Sequence, residues 1–112
     1  MDITEHDNGD YILIEMNGRL DSNTAPQFED RLMGLLTGQG RSVLADLAGL
    51  DFVSSAGLRV MLMGAKKTKG TGQKFVLCGL IPDVYKVFQL SGFDRVLDIQ
   101  DSREAGEARM QG

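Results

Sequence analysis

Asp51-Phe52-Val53-Ser54-Ser55-Ala56-Gly57-Leu58-Arg59 decides how this chain folds. Before it, Val43-Leu44-Ala45-Asp46-Leu47 is a short apolar run of the kind that forms a buried strand. After it, Leu58, Met61, Leu62 and Ala65 recur at helical spacing, which predicts a helix from about Ser55 to Lys69 with one apolar face. Two hydroxyl residues therefore stand where a loop leaves a strand and enters a helix. Ser54 is placed as an N-cap, its oxygen taking up a free N–H of the first turn. Ser55 follows with its hydroxyl left over, where an added phosphoryl group would meet the positive end of the helix dipole. Two readings stand side by side: both serines are caps and nothing more, or Ser55 is a site of modification. Val60 and Met63 point away from the apolar face, so they are expected on the solvent side, where they would seat a partner protein.

Outward from this junction, strands and helices alternate. Asp2 to Asp7 and Tyr11 to Met16 are strand-like runs separated by Asn8-Gly9-Asp10, a hairpin signal that predicts an antiparallel pair. Gly18-Arg19-Leu20-Asp21 closes the second strand. Ser22, Asn23 and Thr24 supply capping oxygens and Pro26 suits a first helical turn. Ala25, Phe28, Leu32, Leu35 and Leu36 then predict an amphipathic helix ending near Gly38 or Gly40. Beyond the central helix, Phe75-Val76-Leu77-Cys78 is continuously apolar, as in a strand covered on both faces. Pro82 starts a third helix that ends at Gly92, and Val96-Leu97-Asp98-Ile99 is a last short strand. From Asp101 the composition turns polar, which predicts a frayed helix or a disordered tail over residues 101–112. Crossovers through helices imply parallel neighbours, so the fold class is α/β: a mixed sheet with an antiparallel opening hairpin and the remainder parallel. In such sheets partners meet the carboxyl ends of the strands, where Asp21, Asp51 and the two serines gather.

Composition narrows the function. At 112 residues the chain has room for one domain. A net charge of −4 argues against nucleic acid or anionic membrane as partner, and no apolar run is long enough to cross a bilayer. Met1-Asp2-Ile3-Thr4-Glu5 is acidic where a secretion signal is basic, and the single cysteine, Cys78, suits a reducing compartment; a cytoplasmic protein is expected. Catalysis is not expected. The one histidine, His6, lies in the first strand with nothing to place it near Ser55, and Val53 stands where a G-x-S-x-G nucleophile elbow needs its first glycine. Lys66, Lys67 and Lys69 crowd the far end of the helix, where they complement its negative pole. Gly70-Thr71-Gly72-Gln73-Lys74 follows a helix and precedes a strand, the reverse of a phosphate-binding loop. Cys78 reads as a small buried hydrophobe, and Asp21, Asp46 and Asp51 lack the histidines or repeated acidic spacing of a metal site; no metal or cofactor is expected.

Two blocks carry a resemblance to a known family. Gly18-Arg19-Leu20-Asp21-Ser22-Asn23-Thr24-Ala25 resembles the first block of STAS domains of the anti-anti-sigma factor type, and Leu50 to Arg59 resembles their second, the phosphorylation loop and helix start. The strand Phe75 to Gly79 and the helix Val84 to Gly92 also fit, so the similarity covers residues 1–100. The resemblance implies a STAS domain over 1–100 that acts as an anti-sigma factor antagonist in partner switching. Such proteins bind an anti-sigma factor that is also a serine kinase of the histidine-kinase-like ATPase type. Phosphorylation abolishes binding, and a PP2C-type phosphatase restores it. Matching Gly57-Leu58 to the family carries the phosphorylated position onto Ser55. The best-known members have aspartate just before that serine; Ser54 stands there instead and is the second candidate. Asp21 matches an aspartate beside the loop. The partner surface is expected to comprise Asp21, Ser22, Asn23, Asp51, Val53, Ser54, Gly57, Arg59, Val60 and Met63 on a chain that is a monomer by default. A second reading keeps the fold but changes the job, a non-catalytic STAS subunit of an ABC-type transporter complex; a third, a small serine hydrolase, lacks a base for Ser55.

Overall fold

The computed structural model describes residues 1–111. Two long parallel strands, β2 (Tyr11–Leu20) and β3 (Ser42–Val53), form the centre of a five-stranded sheet. The Asn8-Gly9-Asp10 turn folds β1 (Asp2–Asp7) back antiparallel on β2, while β4 (Phe75–Cys78) and β5 (Asp98–Gln100) extend the parallel part, giving the order β1-β2-β3-β4-β5. The fold class is the one the sequence predicts.

Each step from β2 to β5 moves one strand in the same direction through a helix: α1 (Ala25–Met33), α2 (Ser55–Thr68) and α3 (Pro82–Ser91). Right-handed crossovers of this kind place all three helices on one face. The alternation of each strand feeds that face: Ile12, Ile14 and Met16 of β2, Val43, Ala45 and Leu47 of β3, and Phe75 and Leu77 of β4. They pack on Phe28 and Leu32 of α1, Met61 of α2, and Val84 and Phe88 of α3 in one buried cluster. The α1 segment continues through a wide turn at Gly34–Gly38, and α3 stops at Gly92 in the left-handed region (φ 78°), followed by a tight turn at Phe93–Arg95. That turn displaces the last strand from the predicted Val96–Ile99 to Asp98–Gln100 and leaves Val96 exposed.

The second face differs from the sequence expectation. Residues 103–111, predicted as a frayed helix or disordered tail, form α4 (Arg103–Gln111), whereas Gly112 lies outside the described residues. The polar composition hides a helix with one apolar anchor. Met110 completes a cluster with Tyr11, Leu13, Leu44, Val76 and Cys78. Gly106 lets the helix backbone settle on the sheet, because a Cβ there would lie 2.8 Å from Leu44 Cδ1 and 3.1 Å from Cys78 Cβ. Arg103 donates to Glu15 at 2.9 Å, Arg109 Nε to Asp98 at 2.9 Å, and Lys74 Nζ to the carbonyl of Arg109 at 2.8 Å. Cys78 is thus covered on both faces, and burial, with the charge of Asp46, pushes its thiol up to about 12. No helix among the described residues is long and apolar enough to cross a membrane.

Met110→Ala removes the only large side chain that α4 buries. A loss of about 2 kcal/mol in urea unfolding is expected, with α4 released from the sheet before the core opens. At the other edge, Arg41 grips both oxygens of Asp7 (2.9 and 3.3 Å). Its hydrogen bond, helped by the Gly9 N–H, lowers that carboxyl from 3.8 to about 2. A folded value below the unfolded one means stability is present above the ordinary 3.8 and lost as pH falls toward 2. Urea midpoints measured across that window should fall less steeply in Arg41→Gln than in the wild type.

Candidate functional site

The site begins where the sheet narrows. β4 pairs with Val43 to Asp46 only, so beyond that point β3 has β2 as its single neighbour. The resulting two-stranded arm pairs Asn17 with Gly49, Gly18 with Leu50, Arg19 with Phe52 and Leu20 with Val53. The register shifts between Gly18 and Arg19, so Asp51 is the extra residue on β3, an arrangement that turns a strand end and re-aims its side chains. These irregularities explain why the predicted strand stopped at Leu47 while the observed one reaches Val53: an inserted residue breaks the alternation by which strands are recognised.

The arm delivers the chain to the start of α2. The Ser54 N–H donates to the Leu20 carbonyl at 2.8 Å, and its backbone is extended (φ −90°, ψ 173°). Its Oγ accepts the Gly57 N–H at 3.3 Å and its carbonyl accepts the Leu58 N–H at 2.9 Å. Ser54 is therefore the N-cap, half-buried, with its hydroxyl in use. Ser55 is exposed, and its hydroxyl takes no hydrogen bond among the described residues. Two adjacent serines thus have opposite environments. Gly57 permits the junction, since a Cβ there would lie 2.7 Å from Cγ of the fully buried Leu20.

Asp21 follows Leu20 and builds the neighbouring turn. Its Oδ1 accepts the N–H groups of Asn23 (3.0 Å) and Thr24 (3.1 Å), while the Asp21 N–H donates to Thr24 Oγ1 at 2.9 Å. The oxygens that start α1 therefore come from Asp21, and the Thr24 hydroxyl donates to the Arg19 carbonyl at 2.7 Å instead of capping. Burial pushes the Asp21 carboxyl up, but the Asn23 and Thr24 N–H groups, the Thr24 hydroxyl and Arg19 together hold it below its ordinary range. Ser22 and Asn23, next in the chain, are exposed, as is Asp51 on β3.

The prediction for the face of α2 is corrected in part. Val60, expected on the solvent side, is 2% exposed, and Met63 is half-buried. The buried line runs through Gly57, Val60, Met61, Gly64 and Thr68, with Leu58 beside it. Glycines seven residues apart mark where the helix comes closest to the sheet: a Cβ at Gly64 would lie 2.6 Å from the Phe75 ring. Counting apolar residues alone misses such a line of contact, because its members are small. Val53 (4% exposed) and Gly57 are likewise interior, so Val53, Gly57 and Val60 support the surface instead of forming it.

The surface role falls to three other apolar residues: Leu62, which the spacing assigns to the apolar face of α2, and Phe52 and Phe93, to which the residue pattern assigns no role. Leu62 and Phe93 join Leu58, Ser55, Arg59 and Ser91 around a groove of about 400 Å³ between α2 and the turn after α3. On the opposite side of the arm Phe52 is 38% exposed, with the Arg19 guanidinium 4.1 Å above its ring. The position of Phe52 directly before Val53-Ser54-Ser55 was the available signal; Phe93 had none, lying nearly forty residues away. A larger cavity, about 650 Å³, opens at the other end of α2 beside Lys66, Lys69 and Lys74 and is remote from the serines. His6 bonds Glu15 at 2.8 Å and pairs with Leu13, seven residues along β2 from Leu20, or roughly 23 Å of strand.

The family profile of the STAS domain matches residues 2–106. The chain belongs to the STAS domain family. This STAS domain is 41% identical over 93 residues to a protein of Bordetella bronchiseptica provisionally described as the anti-sigma factor antagonist BtrV, covering 83% of this chain and 80% of the relative. Its fold is similar to the crystal structure of a Thermotoga maritima protein provisionally described as an anti-sigma factor antagonist (TM-score 0.88, 20% identity, 98% of this chain and 95% of that one). It is similar also to the Bacillus cell fate determinant SpoIIAA in its phosphorylated form (TM-score 0.73, 18% identity, 96% and 99% covered).

Gly57→Ala sets a gain in helix propensity of about 1 kcal/mol against a clash of roughly 1–3 kcal/mol with Leu20. A net loss of about 1 kcal/mol in urea unfolding is expected, because Leu20 Cγ sits in the core and cannot swing away.

Proposed function

We propose that this STAS domain is an anti-sigma factor antagonist, a binding module without catalysis of its own that is controlled by phosphorylation of Ser55. Unphosphorylated, it binds an anti-sigma factor that is also a serine kinase of the histidine-kinase-like ATPase type. Phosphorylated, it releases that partner until a PP2C-type phosphatase removes the phosphoryl group. The observation that carries this reading is the exposed hydroxyl of Ser55 beside a Ser54 whose hydroxyl already caps the helix. A kinase can reach the first without undoing the second, so Ser55 is favoured over Ser54 as the modified residue.

The surroundings supply the energetics. A phosphoserine adds roughly −1.5 to −2 charges at neutral pH. Asp21 and Asp51 lie at the ends of the same two strands, so the new charge would add to an acidic rim within a desolvated contact. A penalty of about 3 kcal/mol weakens binding more than a hundredfold. The side chains offered to the partner are Asp21, Ser22, Asn23, Asp51, Ser55, Arg59 and the half-buried Met63, with the apolar groove at Leu58, Leu62 and Phe93, next to Ser55, as the seat of hydrophobic contact. The backbone of α2 is already hydrogen-bonded, so the architecture need not change.

Catalysis finds no support, because a nucleophilic serine needs a base within hydrogen-bond reach and the histidine lies far down the sheet. Binding of a kinase of this class, isolated from the same cells, tests the proposal. Ser55→Ala should keep the partner bound under phosphorylating conditions, and Ser55→Asp should weaken it in their absence. Equal affinities for the two variants, by calorimetry, would sink the reading.

A further inference from the structure

The chain has seven arginines, and five of them are engaged in ion pairs: Arg19, Arg31, Arg41, Arg103 and Arg109. Arg59 and Arg95 pair with no acidic group among the described residues; of the two, Arg59 is exposed on the helix that begins at Ser55, whereas Arg95 lies in the turn after α3 and does not line the groove. The two residues stand four apart on α2 and border the same groove. We propose that, once Ser55 is phosphorylated, the Arg59 guanidinium clamps the phosphoryl group from one turn along α2, so that modification also withdraws Arg59 from the surface offered to a partner. This rests on the phosphorylation of Ser55 proposed above and adds to it how the new charge is held.

Residues at this spacing have Cβ atoms about 5–6 Å apart, and an anion placed N-terminal to a cation is the favourable order along a helix. The guanidinium has the fork that matches phosphate oxygens. Part of the helix start is already committed. The Gly57 N–H is taken by Ser54 Oγ and the Leu58 N–H by the Ser54 carbonyl, so two of the first-turn donors are already spent. Arg19, at the end of β2, is stacked on Phe52 and lies 3.9 Å from Asp21. Arg59 is left as an uncommitted charge that lines the groove together with Ser55. Drawn onto the phosphate, the side chain forms one wall of the groove at Leu58 and Leu62 and no longer extends outward to a partner.

The test uses the full chain with phosphoserine placed at position 55 during translation, titrated by phosphorus NMR in low and high salt. The second phosphate proton should leave roughly half a pH unit lower in the wild type than in Arg59→Gln. Arg59→Lys should fall between them, and the difference should shrink as salt is added. Superimposable titrations of the wild type and Arg59→Gln would overturn the clamp. Because the phosphoserine is built in, that result would leave the proposed switch standing. Equal binding by Ser55→Ala and Ser55→Asp would instead remove the switch and leave the titration unaffected.

Discussion

The hydrogen bond from the Ser54 N–H to the Leu20 carbonyl, 2.8 Å long, is the contact on which the rest of this surface depends. It closes the last rung between β2 and β3, where no third strand helps. Leu20 serves twice, since its fully buried side chain also fills the space left by Gly57. A backbone donor and acceptor at the edge of a core must be paired, and this pairing locks two distant segments in one register. Asp21 follows Leu20 directly and Ser55 follows Ser54, so the acidic turn and the free hydroxyl are brought together by strand pairing alone.

The same economy separates support from exposure. One serine spends its hydroxyl on the helix and leaves the other for solvent. Asp21 likewise commits one carboxylate oxygen to two backbone N–H groups and turns the second toward Arg19. A group held by several hydrogen bonds keeps its place when a neighbour gains charge. Behind it, α1 to α3 bury one face of the sheet and α4 closes part of the other, so events at the rim are isolated from the core.

Much of this was legible because local chemistry and global position agree. The Asn8-Gly9-Asp10 turn, the continuous run Phe75 to Cys78 and the cap at Ser54 all appear in the structure where the sequence places them. The departures share a cause: each is decided by residues far away in the chain. Val60 is interior because two glycines bring its helix onto Leu20 and Phe75. Asp51 interrupts the strand because the register shifts between Gly18 and Arg19, one of two places where β3 carries an extra residue. The polar segment from Arg103 becomes a helix because Glu15, Asp98 and Lys74 hold it and one methionine fills a gap in the sheet.

The amino-acid order by itself determined the alternation of elements, the mixed sheet and the serine pair at a helix start, since periodicity, turn residues and caps act over a few positions. Only the tertiary structure decided which face of α2 is buried and that Leu62 and Phe93 share a groove. Those outcomes depend on close packing between segments far apart in the chain, and no local pattern records the distance between them.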